Sequence, residues 1–168
     1  MLVGMMASGK TTIGQALAAR LGRRFADSDA MIEARTGRTV AEIFEHEGEP
    51  AFRALETEVL REALHAPEPT VVAAAGGVVQ SEVNRRLLRG AGVPVVWLRA
   101  DPSTLAARVE AAGQTHRPLL ADDPAGVLAR LADARAAWYG EVATTVVDVD
   151  GRPVADIVDD VLAGVGAR

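Results

Sequence analysis

Near the start of the chain, the stretch GMMASGKTTIG (Gly4 to Gly14) has the spacing Gly-x-x-x-x-Gly-Lys-Thr, and its Lys10 is the only lysine among 18 basic residues. The spacing suits one kind of chemistry, the holding of a nucleotide's phosphates. Gly4 and Gly9 let backbone N–H groups turn inward, Ala7, Ser8 and Thr12 complete the wrap, and the N-terminal end of the following helix adds its dipole and open N–H groups. Thr11 offers a hydroxyl to Mg²⁺, while Lys10 reaches the β and γ phosphates of ATP. A compact ammonium with three rotatable donors fits inside such a wrap, whereas a planar guanidinium displaces backbone donors. That accounts for a lysine here in a chain that otherwise uses arginine.

Phosphate-transfer sites of this kind usually take a metal-holding Asp from the end of a later strand. The apolar run TVVAAA ends in Ala73, Ala74 and Ala75, so the acid must come from elsewhere, and Asp27 and Asp29 in ADSDAMIE are the candidates. Read as an extended stretch, they alternate so that both can face the strand's carboxyl end, where open α/β sheets bind ligands. One would hold a Mg²⁺-bound water and the other would accept a hydroxyl proton; the alternative is that one of them only caps the next helix. Arg53, with Glu56 three residues on and so on the same helical face, reads by itself as a solvated helix residue. Arg117, in THRPLL, reads as a loop residue, and Arg85, Arg86 and Arg89 as members of solvated faces. His46, His65 and His116 show no metal spacing and are expected at the surface.

These residues need a frame. Apolar β-like runs alternate with helical patterns throughout the 168 residues, which predicts a single α/β domain with a parallel sheet. The expected strands are LV before Gly4, RFAD, TVVAAA (70 to 75), VPVVWL and TTVVDV. Expected helices run from about Lys10 to Leu21, through DAMIEART to Gly37, from a Thr39–Glu42 capping box, and from Glu49 to His65 with Pro50 in the first turn. Four more run from near Ser81 to Arg89, from Pro102 to Glu110, up to Tyr139, and from Pro153. Ala111 to Pro124, with two Pro, a Gly and mixed charge, reads as a mobile loop. The first strand is shorter than the usual five or six residues. Either the coding start lies upstream of Met1 or this edge of the site is weakened.

A net charge of −5 argues against broad nucleic-acid binding, and no apolar run reaches the roughly 18 residues of a membrane span. Without cysteine there is no disulfide framework or thiolate metal site, and no signal-like segment opens the chain. The expectation is a cytoplasmic protein with neither nucleic-acid nor membrane partners, acting as a monomer.

The P-loop, DSDAMIEARTGRTVAEIF, EGEPAFRALE, GGVV, THRPLL and RAAWY together resemble shikimate kinase over nearly the whole chain. The resemblance implies a three-layer P-loop kinase fold: a five-stranded parallel sheet with helices on both faces, a mobile lid at about 111–124 and substrate-binding helices at about 30–65. It also implies phosphorylation of the shikimate 3-hydroxyl by ATP with Mg²⁺, toward chorismate. Asp29 then resembles the residue that contacts the substrate hydroxyls and acts as base, and Asp27 the acid near the metal. Arg53 and Arg135 resemble the two arginines that clamp the substrate carboxylate, Gly76 and Gly77 the glycine turn that meets the substrate, and Arg117 the lid arginine over the phosphates. Arg152 falls near the end of the family's adenine platform. Ala75 stands where the family has a third glycine; its Cβ is accommodated if φ stays negative, and otherwise tightens the pocket or shifts the turn. A kinase of another polyol acid such as gluconate, or a degenerate module that binds without turnover, are the competing readings.

Overall fold

The computed structural model describes residues 1–113 and 123–166. Its sheet has five parallel strands, β1 (Leu2–Val3), β2 (Arg24–Asp27), β3 (Thr70–Ala73), β4 (Val96–Arg99) and β5 (Thr145–Asp148), in the spatial order β2-β3-β1-β4-β5. The short first strand is therefore not an edge. It lies at the centre, with Leu2 opposite both Ala73 and Val96 and Val3 opposite Trp97. Strand order reverses at β1, so the crevice beyond its carboxyl end is where such sheets bind ligands.

The helices are α1 (Lys10–Leu21), α2 (Ser28–Thr36), α3 (Val40–Leu64), α4 (Glu82–Gly90), α5 (Pro102–Ala111), α6 (Pro124–Val142) and α7 (Val154–Gly164). Local signals set most of their ends. The Thr39–Glu42 capping box opens α3, Ser81 and Asp123 cap α4 and α6, and proline begins α5 and α6. Inside α3, Gly48 (φ 81°, ψ 172°) breaks the helical backbone, so the second helix expected from Glu49 is present with Pro50 in its first turn.

Alternate strand residues divide the core between two faces. Leu2, Val71, Val96 and Val147 pack with Ile13 and Leu17 of α1 and Ile157 and Val161 of α7. Val3 and Val95 pack on the other side with Leu60, Leu88, Leu105, Leu128 and Tyr139 from α3 to α6. Truncating one of the fully buried leucines to alanine costs about 2–5 kcal/mol. A third, small cluster of Ile32, Ile43, Phe52 and Val59 joins α2 to α3.

Several expectations need correction. TVVAAA ends as a strand at Ala73; the Ala74 N–H still reaches the Leu2 carbonyl at 3.0 Å, but the Ala75 N–H turns to the buried Ser28 Oγ at 2.8 Å. VPVVWL pairs only from Val96; Pro94 has no N–H to give a ladder. Arg85 is not on a solvated face. Its side chain is 13% exposed, its Nε pairs with Glu141 at 2.9 Å and its Nη1 donates to the Val79 and Gln80 carbonyls. His46 and His65 are exposed, as expected. His116 and Arg117, with most of the expected lid, lie outside the described residues. Among those described, no helix is long and apolar enough to cross a membrane.

Candidate active site

The loop between β1 and α1 is shaped by backbone. Gly4 has φ 146°, and a Cβ there would come within 2.5 Å of the Leu98 carbonyl oxygen, so only glycine passes the end of β4. Gly9 (φ 92°) hands the chain to α1, whose first turn carries no acidic residue and no side-chain cap. Its N–H groups and dipole end thus open into the crevice. Ser8 is fully buried in the loop, while Thr12 is exposed. Ala7, at φ 61°, is the only non-glycine with positive φ among the described residues, a conformation that costs an L-residue about 1–2 kcal/mol. The Lys10 Nζ donates to the carbonyls of Gly4 (2.9 Å) and Met5 (2.8 Å). Two adjacent carbonyls converging on one nitrogen suit a point-like ammonium better than a planar fork.

Behind this loop, the Thr11 Oγ1 donates to the Asp27 Oδ2 at 3.0 Å, and the Asp27 Oδ1 accepts from the Asp29 N–H at 3.0 Å. The extended alternation expected for the two acids is not found. β2 ends at Asp27 and α2 starts at Ser28, so Asp29 lies in the first helical turn. Asp27 caps α2 and is also the partner of Thr11. A hydroxyl and a carboxylate side by side are the hard oxygen donors that Mg²⁺ prefers. No cluster of three or more His, Asp or Glu gathers among the described residues. Thr11 and Asp27 are the residues that would hold such an ion, which would supply positive charge beside the loop.

A second group of residues collects around the glycine turn after β3. Arg53, from the second half of α3, gives Nη1 to Glu56 at 3.0 Å and Nη2 to Glu49 at 2.9 Å. Its guanidinium lies so close over Gly77 that any Cβ there would collide with it. From α6, Arg135 donates Nη1 to the Gly76 carbonyl at 3.1 Å, and Tyr139, one turn later, donates its hydroxyl to the same oxygen at 2.5 Å. The Arg135 Nη1 also meets the Met5 Sδ at 4.0 Å, and a Cβ on Gly76 would lie 3.1 Å from the Met6 nitrogen. The arginine pocket and the phosphate loop therefore abut. Ala75, the departure noted in the sequence, is buried beside this turn without positive φ, so its Cβ is accommodated.

Burial dominates the electrostatics here. Glu56 is 1% exposed, and desolvation pushes its carboxyl up to about 6, although the neighbouring Arg53 pulls the other way. The Tyr139 hydroxyl is pushed far above its ordinary value by burial, so it stays a donor. Arg152 lies by the β5–α7 loop, bonded to the Asp148 carbonyl at 3.1 Å and paired with Asp160 at 2.7 Å. Sequence reasoning missed Arg108, which joins two parts of the site: its Nη1 donates to the Ala7 carbonyl and its Nη2 to the Val149 carbonyl, both at 3.2 Å. The available signal was its spacing of three from the core residue Leu105, which turns it toward the sheet. Tyr139 was quoted only within a motif, four residues after Arg135 on the same face.

Residues 6–165 match the family model described as shikimate kinase. The shikimate kinase of Symbiobacterium thermophilum is 46% identical over 162 residues, covering 96% of this chain and 92% of that protein. The structure of shikimate kinase from Acinetobacter baumannii in complex with shikimate aligns with a TM-score of 0.88 at 38% identity, over 96% of this chain and 88% of that one. A gluconokinase from Sinorhizobium meliloti 1021 aligns less well, with a TM-score of 0.55 at 26% identity over 98% and 90% of the two chains. Sequence and fold agree over nearly the full length, and the chain belongs to the shikimate kinase family.

Proposed function

We propose that the chain transfers the γ-phosphoryl group of ATP to the 3-hydroxyl of shikimate, giving shikimate 3-phosphate and ADP. The observation that carries this reading is the Arg135 guanidinium. It is buried, it meets a backbone carbonyl and a thioether, and among the described residues no carboxylate forms an ion pair with it. A buried cation beside a second one, Arg53, favours an anion strongly, and a planar carboxylate fits two guanidiniums. Shikimate offers that carboxylate together with a ring hydroxyl.

With the carboxylate at Arg53 and Arg135 and the ring against Gly76 and Gly77, the acceptor hydroxyl faces Asp29. Asp29 accepts the hydroxyl proton as the new O–P bond forms and the bond to the β,γ-bridging oxygen breaks. Lys10 and the N-terminus of α1 follow the charge that shifts onto the departing ADP. Mg²⁺ at Thr11 and Asp27 supplies further positive charge to the phosphate oxygens. Gly4, Ala7, Ser8, Gly9 and Thr12 hold the phosphates, and Arg152 borders the nucleotide base. Arg117, outside the described residues, is read as a lid cation that closes over the phosphates and excludes water. The whole is read as a single domain with its lid at about 111–124 and its substrate helices at about 30–65, working as a cytoplasmic monomer.

ADP release coupled to a spectrophotometric readout tests the reading with shikimate, with gluconate and without acceptor. Release is expected only with shikimate. Release with gluconate alone overturns the acceptor assignment, and nucleotide binding without release under any condition overturns the catalytic one.

A further inference from the structure

Arg53 and Arg135 reach the pocket from different helices, α3 and α6, and two like charges brought together need something to hold their spacing. One side chain touches both. Gln80 ends the short 3₁₀ turn (Val78–Gln80) that follows the glycine turn. Its amide oxygen accepts from the Arg53 Nη2 at 2.9 Å and from the Arg135 Nη2 at 3.1 Å, in the orientation that satisfies the amide; the opposite orientation sets its NH₂ against guanidinium donors. The backbone of Gln80 is itself pinned. Its N–H donates to the Gly77 carbonyl at 2.9 Å, and its carbonyl accepts from the Arg85 Nη1 at 3.1 Å, with Arg85 held in turn by Glu141 at 2.9 Å. The partly buried Arg85, which no other part of the site explains, thus braces the residue that bridges the clamp.

We propose that Gln80 is a positioning residue for acceptor binding: it sets the distance between the two guanidiniums before the acceptor's carboxylate arrives. This rests on the reading of Arg53 and Arg135 as that carboxylate's partners. The chemistry of the bridge is specific. Each guanidinium is also fixed by other partners, Arg53 by Glu49 and Glu56 and Arg135 by the Gly76 carbonyl, and the Gln80 oxygen links the two. An amide oxygen attracts both guanidiniums without adding a negative charge to the two carboxylates already on Arg53, so among the described residues Arg135 keeps no ion pair and can take an anion. A carboxylate at this position would neutralise the pair from within and compete with the substrate. Glutamine against glutamate at residue 80 therefore separates a spacer from an internal inhibitor by one functional group.

The test is steady-state kinetics on Gln80→Leu, Gln80→Glu and Arg53→Ala, with both substrates varied and Tm recorded. Loss of one acceptor shared by two charged donors predicts a shikimate KM raised about three- to tenfold in Gln80→Leu, with kcat and the ATP KM within about twofold of the parent. Gln80→Glu is expected to raise the shikimate KM further than Gln80→Leu, an order that a merely structural role does not produce. If Arg53→Ala raises the shikimate KM while both Gln80 variants leave it unchanged, or if Gln80→Leu lowers it, the proposal is overturned and the clamp stands. If all three leave it unchanged, the clamp reading itself is overturned. A parallel rise in both KM values with a lowered Tm also overturns the proposal, in favour of a structural role.

Discussion

From Gly4 to Thr12, nine contiguous residues make the proposed phosphate side of the site almost entirely from backbone, while the proposed acid pocket draws Asp29, Arg53, Glu56, Gly77 and Arg135 from three helices and the glycine turn. On the first side, charge is distributed over N–H dipoles and a helix end, and one lysine supplies the only full cation from the loop. On the second side the charges belong to side chains, of which Glu56 and Arg135 are buried and Asp29 and Arg53 partly so. The cost shows in Glu56, pushed up to about 6 by burial despite its ion pair. A backbone site is stable to solvent and pH but intolerant of side-chain shape. A side-chain site can be tuned residue by residue, and it titrates.

Lys10→Arg tests that contrast most severely. Charge is kept while shape is lost, so phosphoryl transfer is expected to fall by at least about a thousandfold with Tm little changed. Near-normal turnover would show that the loop tolerates side-chain shape after all. Asp29→Asn is expected to lower shikimate-dependent turnover by about 10²–10⁴-fold while leaving ATP binding intact, as measured by single-turnover transfer beside ATP-analogue titration. On the pocket side, Arg53→Ala and Arg135→Ala each remove charge-assisted hydrogen bonds and are expected to weaken shikimate by roughly tenfold to a hundredfold in calorimetric titration. ATP affinity should hardly move; if it falls equally, the two halves of the site are not separable.

Glu56 sharpens the comparison through pH. Its carboxyl titrates at about 6 in the folded chain against an ordinary value of 4.5, so folding favours its protonated form. The stability this contributes is complete below the lower value and lost as pH rises through the upper one. Relative to Glu56→Gln, the unfolding free energy of the parent should therefore fall by about 2 kcal/mol between acid and neutral pH, as read by denaturant titration. Shikimate affinity should move the opposite way, rising through about pH 6 as ionised Glu56 orients Arg53, with this step missing in Glu56→Gln. The smallest effect belongs to the loop. Ala7→Gly relieves the one positive-φ alanine and is expected to add about 1 kcal/mol of stability without altering turnover.

The same contrast decides what was legible in the sequence. The phosphate loop could be read because its spacing, the strand before it and the helix after it are consecutive, and the Thr39–Glu42 box because both partners lie within one turn. Asp27 lies in an extended stretch as expected, but Asp29 does not, since two acids separated by one residue look alike in a strand and across a strand-to-helix junction. Arg53 and Arg85 are both helical arginines near acids, and nothing local separates the one over the glycine turn from the one paired with Glu141. Only the family resemblance singled out Arg53. Spacing from Leu105 was the one local signal for Arg108, and nothing in the residues marked Gln80, whose partners lie in other elements.

The break at Gly48 and the separate cluster of Ile32, Ile43, Phe52 and Val59 have a thermodynamic consequence. The segment carrying Asp29 and Arg53 has its own small cluster of four main side chains, and it joins the principal core through Leu60 and Leu64 and through the Ser28–Ala75 and Thr57–Asn84 hydrogen bonds. Such a unit can open locally at a fraction of the global unfolding free energy, so its amide protons exchange with solvent through partial openings that leave the sheet intact. A ligand spanning Arg53 on this unit and Arg135 on α6 binds only the closed form. Each increase in its concentration therefore adds to the local closing free energy as the logarithm of one plus the ratio of ligand concentration to Kd, and substrate binding suppresses these partial openings.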